Sequence, residues 1–199
     1  MPARLIFDFL YNINYSGYEK IPKTGPVLLV AKHQSLLDII LEGVMLYQHV
    51  GRAGNWVMKD SLPKFLELWG GIPVKRPRDL RINGNSNRKE LLEKSRQQNK
   101  DSERYIEWLY TQNEIVVAHP EGTRLMGAMR NIRPEMIDLA REVEYRHSIS
   151  IPIVPVGLEY LPSNGLRGKI YVRVGERMST QDSDVVGKVY NEIKKLSNL

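Results

Sequence analysis

The chain has no cysteine among its 199 residues. That excludes a disulfide framework, a thiolate nucleophile and a Cys-type zinc site. It also lacks any apolar run approaching the roughly 18 residues of a spanning helix. The longest candidates, Pro26–Ala31 and Leu36–Tyr47, are too short, and the second carries Asp38 and Glu42. A basic start, apolar stretch and small-residue cleavage site do not occur in that order at the N-terminus, so the chain is expected in the cytoplasm or on the cytoplasmic face of a membrane. Acidic residues are the minority charge: 23 Asp plus Glu face 29 Lys plus Arg, a formal charge of +6. Such a balance favours an anionic partner, whether nucleic acid, a membrane surface or a phosphorylated substrate. There is no RNP-like aromatic pattern and no zinc-finger spacing, so no nucleic-acid motif supports the first of these.

What is present reads as one folded unit spanning residues 1–199. The length suits a single domain able to bury a sizeable core. Pro26–Ala31, Glu114–Ala118 and Ile151–Leu158 are apolar runs of the kind found in strands buried on both faces. Asn55–Met58 is a further candidate strand, and Ile170, Val172 and Val174 alternate with polar residues as in a half-exposed one. Helical spacing marks Leu36–Tyr47, Met136–Val143 and Val185–Leu196. Strands alternating with helices predict an α/β fold, a mostly parallel mixed sheet flanked by helices. Leu5, Ile6, Phe9, Leu10 and Ile13 also have helical spacing. Two readings of residues 1–14 stand: a helix packed on the core, or one lying in a lipid interface. The Asn- and Gly-rich stretch Arg81–Asn87 reads as a mobile loop. Arg96–Arg104 has no apolar residue at all, and reads as a solvated helix face or a break between two helices.

Four places put polar chemistry at the expected mouths of strands, where ligands of open α/β sheets bind. The first is His33 and Asp38, after the Pro26–Ala31 run. A histidine there can serve as a general base with the carboxylate as its orienter. Ser35 and Asp38 also fit a capping box, and the two readings are compatible. The second is Gly70–Pro77, a shaped turn ending in Lys75 and Arg76, suited either to a phosphate or to solvent. The third is His119-Pro-Glu-Gly-Thr-Arg124, with a salt bridge and turn as the purely structural alternative. The fourth is Val154-Pro155-Val156, where proline interrupts a buried strand and predicts a bulge or strand end. No His-Glu-x-x-His or similar spacing joins His33, Asp38, His119 and Glu121 into a metal site, so no metal and no cofactor is expected.

Together, in this order, the four places resemble the blocks of the glycerolipid acyltransferase family, whose best-known members acylate lysophosphatidate (1-acylglycerol-3-phosphate). The family's His-x4-Asp block stands here as His33 and Asp38, its Gly-x-Ile-Phe-x-x-Arg block as Gly70–Arg76, its Phe-Pro-Glu-Gly-Thr-Arg block as His119–Arg124, and its Val-Pro-Val block as Val154–Val156. The resemblance implies transfer of a fatty acyl group from an acyl thioester (acyl-CoA or acyl-carrier protein) to a glycerolipid hydroxyl, with no acyl-enzyme. It implies His33 as base and Asp38 as its orienter. Arg76 and Arg124 would bind the acceptor phosphate, with Glu121, Gly122 and Thr123 shaping that site, and Val154, Pro155 and Val156 would lie near the acyl donor. It implies peripheral contact with an anionic membrane. Another lysolipid acceptor, or a non-catalytic anionic-lipid-binding protein, are the alternatives. The sequence departs from the family pattern in having His119 for the usual aromatic, Leu125 for a common serine, Pro73 for phenylalanine and Lys75 for an acidic residue. Six basic and two acidic residues between Gly71 and Glu90 concentrate positive charge beside the second block.

Overall fold

A seven-stranded sheet carries the molecule, in the order β1-β7-β6-β2-β5-β3-β4. The strands are β1 (Tyr11–Ser16), β2 (Val27–Ala31), β3 (Gly54–Lys59), β4 (Gly71–Val74), β5 (Ile115–Ala118), β6 (Ile153–Leu161) and β7 (Gly168–Val174). The helices are α1 (Leu37–Met45), α2 (Arg88–Thr111), α3 (Glu135–His147) and α4 (Val185–Leu196). The computed structural model describes residues 11–75, 88–161 and 168–199. Every strand pairing is parallel except β6 with β7. The fold is therefore the single α/β domain with a mostly parallel mixed sheet that the alternating pattern implies.

The central strands are apolar at every position because both faces are covered. Val27, Leu29 and Ala31 of β2 point with Ile115 and Val117 of β5 into a core shared with Leu41 and Met45 of α1. Leu28, Val30, Val116 and Ala118 point the other way. There they meet Ile106, Leu109 and Tyr110 of α2, Ile137, Ala140 and Val143 of α3, and Val185, Val189 and Ile193 of α4. The period-two alternation thus feeds two separate apolar layers.

Three local readings change. Ile13 lies in a strand, not a helix: β1 alternates half-buried Tyr11, Ile13 and Tyr15 with exposed Asn12, Asn14 and Ser16. Pairing with β7 satisfies its backbone, which a short helix there would not need. The remainder of the 1–14 segment lies outside the described residues, as does the Arg81–Asn87 stretch. Arg96–Arg104 is neither a break nor a purely solvated face, because α2 is continuous through it. Its polar middle binds the backbone of β4's exit. Asn99 Oδ1 accepts from Lys75 N–H at 2.8 Å, its Nδ2 donates to Lys75 O at 2.8 Å, and Ser102 Oγ donates to Pro73 O at 2.6 Å. The chain leaves β1 through Gly17, in the left-handed region at φ 75°, where a Cβ would collide with the Val174 carbonyl.

Pro155 sits inside β6, between β2 and β7, at a position where no donor is required. Ile153 N–H bonds Met178 O, Gly175 N–H bonds Pro155 O, and the regular ladder restarts at Val156 opposite Val174. Three residue steps on β6 thus face four on the other strand, a bulge that absorbs the missing N–H.

Candidate active site

The parallel strands β2 and β5 end side by side, with Val30 opposite Ala118. That register brings the residue pairs that follow them, Lys32-His33 and His119-Pro120, to one rim of the sheet. The strand β6 runs alongside β2 and delivers Leu158 and Tyr160 to the same rim.

His33 Nδ1 lies 2.9 Å from Asp38 Oδ2. Asp38 is fully buried in the first turn of α1. Its Oδ2 also accepts from the backbone N–H groups of Gln34 at 2.6 Å and Ser35 at 2.8 Å, while Oδ1 accepts from Tyr160 Oη at 2.5 Å. Both sequence readings of Asp38 therefore coexist: it ties down free amides at a helix start and it holds a histidine. Ser35 contributes the other half, its Oγ accepting from Leu37 N–H at 3.2 Å. An acceptor at Nδ1 places the ring proton there, so Nε2 is the nitrogen left to take a proton. Burial lowers the His33 pKa below 6.5, against the opposing pull of Asp38, and His119 pushes it the same way as burial. Burial alone would raise Asp38, but its bonds from His33, Tyr160, Ser35 and Gln34 bring it below its ordinary value.

Beneath this pair lies a second ionisable layer. The His119 ring stacks on that of His33 with centroids 4.2 Å apart. His119 Nε2 is 3.0 Å from Glu42 Oε1, and Glu42 Oε2 accepts from Trp56 Nε1 at 2.8 Å. Lys32 and Glu121 form a fully buried ion pair at 2.7 Å. Lys32 Nζ also donates to Leu125 O at 2.9 Å, and Glu121 Oε2 accepts from Arg130 N–H at 2.9 Å. Glu121 Oε1 is also 3.3 Å from His33 N. Glu121 thus braces the loop after β5 from behind, against the end of β2, and lines neither of the two cavities at this rim. Charge at this depth needs a partner, and Lys32 supplies it.

A cavity of about 380 Å³ opens over His33, bounded by Leu36, Ile39, Met58, Lys59, Leu62 and the run Gly122–Arg124. Gly122, Thr123 and Arg124 therefore share a cavity with His33. A second cavity of about 290 Å³ adjoins it, sharing Val57, Met58, Lys59, His119 and Gly122. Val154 and Val156 are fully buried beneath the sheet rim and line neither cavity. Alternating strand geometry turns them into the core shared with α1. Arg76 lies outside the described residues. Sequence reading missed Lys32, Glu42, Lys59 and Tyr160. Only Lys32 carried a signal, as a charged residue ending an apolar strand. No group of three or more His, Cys, Asp or Glu among the described residues is arranged to hold a metal ion.

The site is thus a carboxylate–histidine pair at the C-terminal rim of an α/β sheet, open to a cavity edged by Lys59 and Arg124, an arrangement chemically suited to accepting a proton. The family model described as Acyltransferase matches residues 12–159, and the chain belongs to that family. The fold is similar to that in the crystal structure of the 1-acyl-sn-glycerophosphate (LPA) acyltransferase PlsC from Thermotoga maritima. The TM-score is 0.64 at 18% identity, covering 96% of this chain and 73% of that one. No curated protein matches the sequence.

Proposed function

We propose that this acyltransferase moves a fatty acyl group from acyl-CoA or acyl-carrier protein to the free hydroxyl of a lysophospholipid such as 1-acylglycerol-3-phosphate, with His33 as general base. The observation that carries the reading is the His33–Asp38 contact of 2.9 Å at the floor of a cavity edged by Arg124 and Lys59. Nε2 takes the acceptor's hydroxyl proton as that oxygen bonds to the thioester carbonyl carbon. The tetrahedral intermediate expels the thiolate, which takes the proton back from the imidazolium and leaves as thiol. Asp38 stabilises the imidazolium between the two steps. Arg124 and, from the segment beyond Lys75, Arg76 are assigned to the acceptor phosphate, for which a guanidinium fork is well shaped.

The acceptor is an amphiphile, so the cavity mouth is assigned to a bilayer surface on the cytoplasmic side. Among the described residues no helix is long and apolar enough to cross a membrane. The support for surface contact is an apolar edge: Leu62 lines the cavity, and the following turn Lys64–Trp69 exposes Phe65 at 57%, Leu68 at 86% and Trp69 at 76%. Leu36 and Ile40 add to the exposed apolar area. Aromatic residues with one wet side suit the headgroup level.

The test is acyl transfer from labelled acyl-CoA and acyl-carrier protein to a panel of lysolipids. The expected result is transfer to a phosphorylated lysolipid, reduced about 10²–10⁴-fold in folded His33→Ala. Full activity of that variant would overturn the role of His33.

A further inference from the structure

The stacked histidines carry an inference that rests on the reading of His33 as base and adds a residue to it. We propose that His119, bonded to Glu42 and stacked against His33, is a positioning residue that carries the one positive charge of the histidine pair and so keeps His33 neutral, with Nε2 free to take a proton.

The geometry makes the two rings compete for charge. With centroids 4.2 Å apart, protonating both would place two positive charges in contact in a largely buried site. Such pairs titrate as a unit, and the environment decides which member holds the proton. Both rings face a carboxylate, but Asp38, 2.9 Å from His33, is also shared among two backbone amides and the Tyr160 hydroxyl, whereas Glu42 has the Trp56 indole as its other partner. His119 Nε2 faces Glu42 at 3.0 Å, with side-chain exposures of 7% and 0% for the two partners. Glu42 is fixed in turn by the Trp56 indole, which leaves Oε1 aimed at the imidazole. Burial works against a charge on His119, but Glu42, with Asp38 and Glu121 behind it, more than offsets this and its pKa rises above 6.5. His33 moves the other way, lowered first by burial and further by His119.

The remaining charges around His119 do not reverse that order. Lys32, from the end of β2, is neutralised by Glu121 at 2.7 Å. Across the adjoining cavity Lys59, Lys75 and Arg133 are opposed by Glu103 and Glu135. The position is one where the family resemblance predicts an uncharged aromatic, which preserves a ring beneath the base but holds no proton. The histidine therefore adds charge control to a stacking site.

The experiment compares the pH dependence of kcat/KM in wild type, His119→Phe and His119→Gln. Phenylalanine keeps a ring and removes the charge. Glutamine keeps a donor for Glu42 and removes the charge. Both variants are expected to raise the acidic limb by about one pH unit, so that activity falls by about half where wild type reaches its plateau and by up to roughly tenfold well down the acidic limb. NMR titration of the His33 imidazole without substrate is expected to move by the same amount in both. Restoration of the wild-type limb by glutamine would reduce His119 to a structural hydrogen-bond donor, and unmoved titrations in both variants would equally overturn the proposal. His33→Ala assayed alongside separates the two claims: an active His33→Ala defeats the base assignment, whereas an inactive one with unshifted His119 variants defeats only this inference.

Discussion

Asp38 is the residue on which most of the site's geometry converges. It holds an imidazole, two backbone amides and a phenol, drawn from residues 33–35 and from Tyr160 across the sheet rim. Replacing it by asparagine is expected to reduce kcat by 10²–10⁴-fold and to move the acidic limb of the rate profile down, because Asp38 is what raises His33 against burial. That direction is opposite to the one expected for the His119 variants, so one pH series distinguishes the two partners of the base. Stability responds as well. Asp38's folded pKa lies below 3.8, so its network stabilises the protein above that value and the contribution is lost as pH falls through the folded value. Thermal melts of wild type and Asp38→Asn are therefore expected to differ near neutrality and to converge towards the acid end of a pH series. His33 and Asp38 were legible in the sequence because they follow a buried strand at short spacing. Tyr160 was not: it lies 122 positions from Asp38, and nothing local distinguishes a tyrosine that will reach across a sheet rim from one that will face water.

At the scale of elements, polar contacts do as much positioning as apolar ones. The Lys32–Glu121 pair joins the end of β2 to the loop after β5 with side-chain exposures of 0% and 1%. Lys32→Met leaves Glu121 as an uncompensated buried charge and is expected to cost about 3–5 kcal/mol in chemical denaturation. Lys32→Met combined with Glu121→Gln is expected to cost less than the sum of the two single changes. The α2–β4 junction works similarly. Asn99 pairs with both backbone groups of Lys75, immediately before Arg76. If Arg76 binds the acceptor phosphate, Asn99→Ala loosens that approach and raises the acceptor KM several-fold while leaving the donor KM unchanged, which initial-rate kinetics with each substrate varied in turn would measure. The fully buried strands were readable because both faces demand apolar side chains. The middle of α2 was not, because Ser102 and Asn99 recognise strand backbone, and a helix that binds through hydrogen bonds leaves no apolar stripe to read. The segment before β1 offered helical spacing, yet the alternation of Tyr11, Ile13 and Tyr15 coincided with it, and an available sheet edge decided in favour of the strand.

For the whole molecule, the distribution of exposed apolar surface is uneven. Phe65, Leu68 and Trp69 lie on one short turn following a cavity-lining residue. Replacing Phe65 and Trp69 together by alanine is expected to weaken flotation with vesicles containing anionic lipid by about tenfold or more, given the area two aromatic side chains bury, while acylation of a short-chain, water-soluble acceptor stays unchanged. Unaltered flotation would move the lipid contact elsewhere on the molecule. The +6 charge, which on composition alone left several anionic partners open, is then accounted for by an acceptor phosphate and a headgroup layer.

The placement of β1 at the sheet's edge has a consequence for biosynthesis. Among the described residues its one ladder is with β7, Tyr11 opposite Gly168. On a ribosome working at about 5–20 residues per second, the earliest strand waits on the order of ten to thirty seconds for its partner to be made. During that interval Tyr11, Ile13 and Tyr15 have no sheet to join, and β6 has not yet delivered Tyr160 to Asp38. In order of synthesis the sheet thus grows from its β4 edge, where β3 and β4 pair first, and β1, the first of the described strands, is the last to find its partner. Nascent chains halted before residue 168 are expected to leave this N-terminal stretch open to proteases and chaperones.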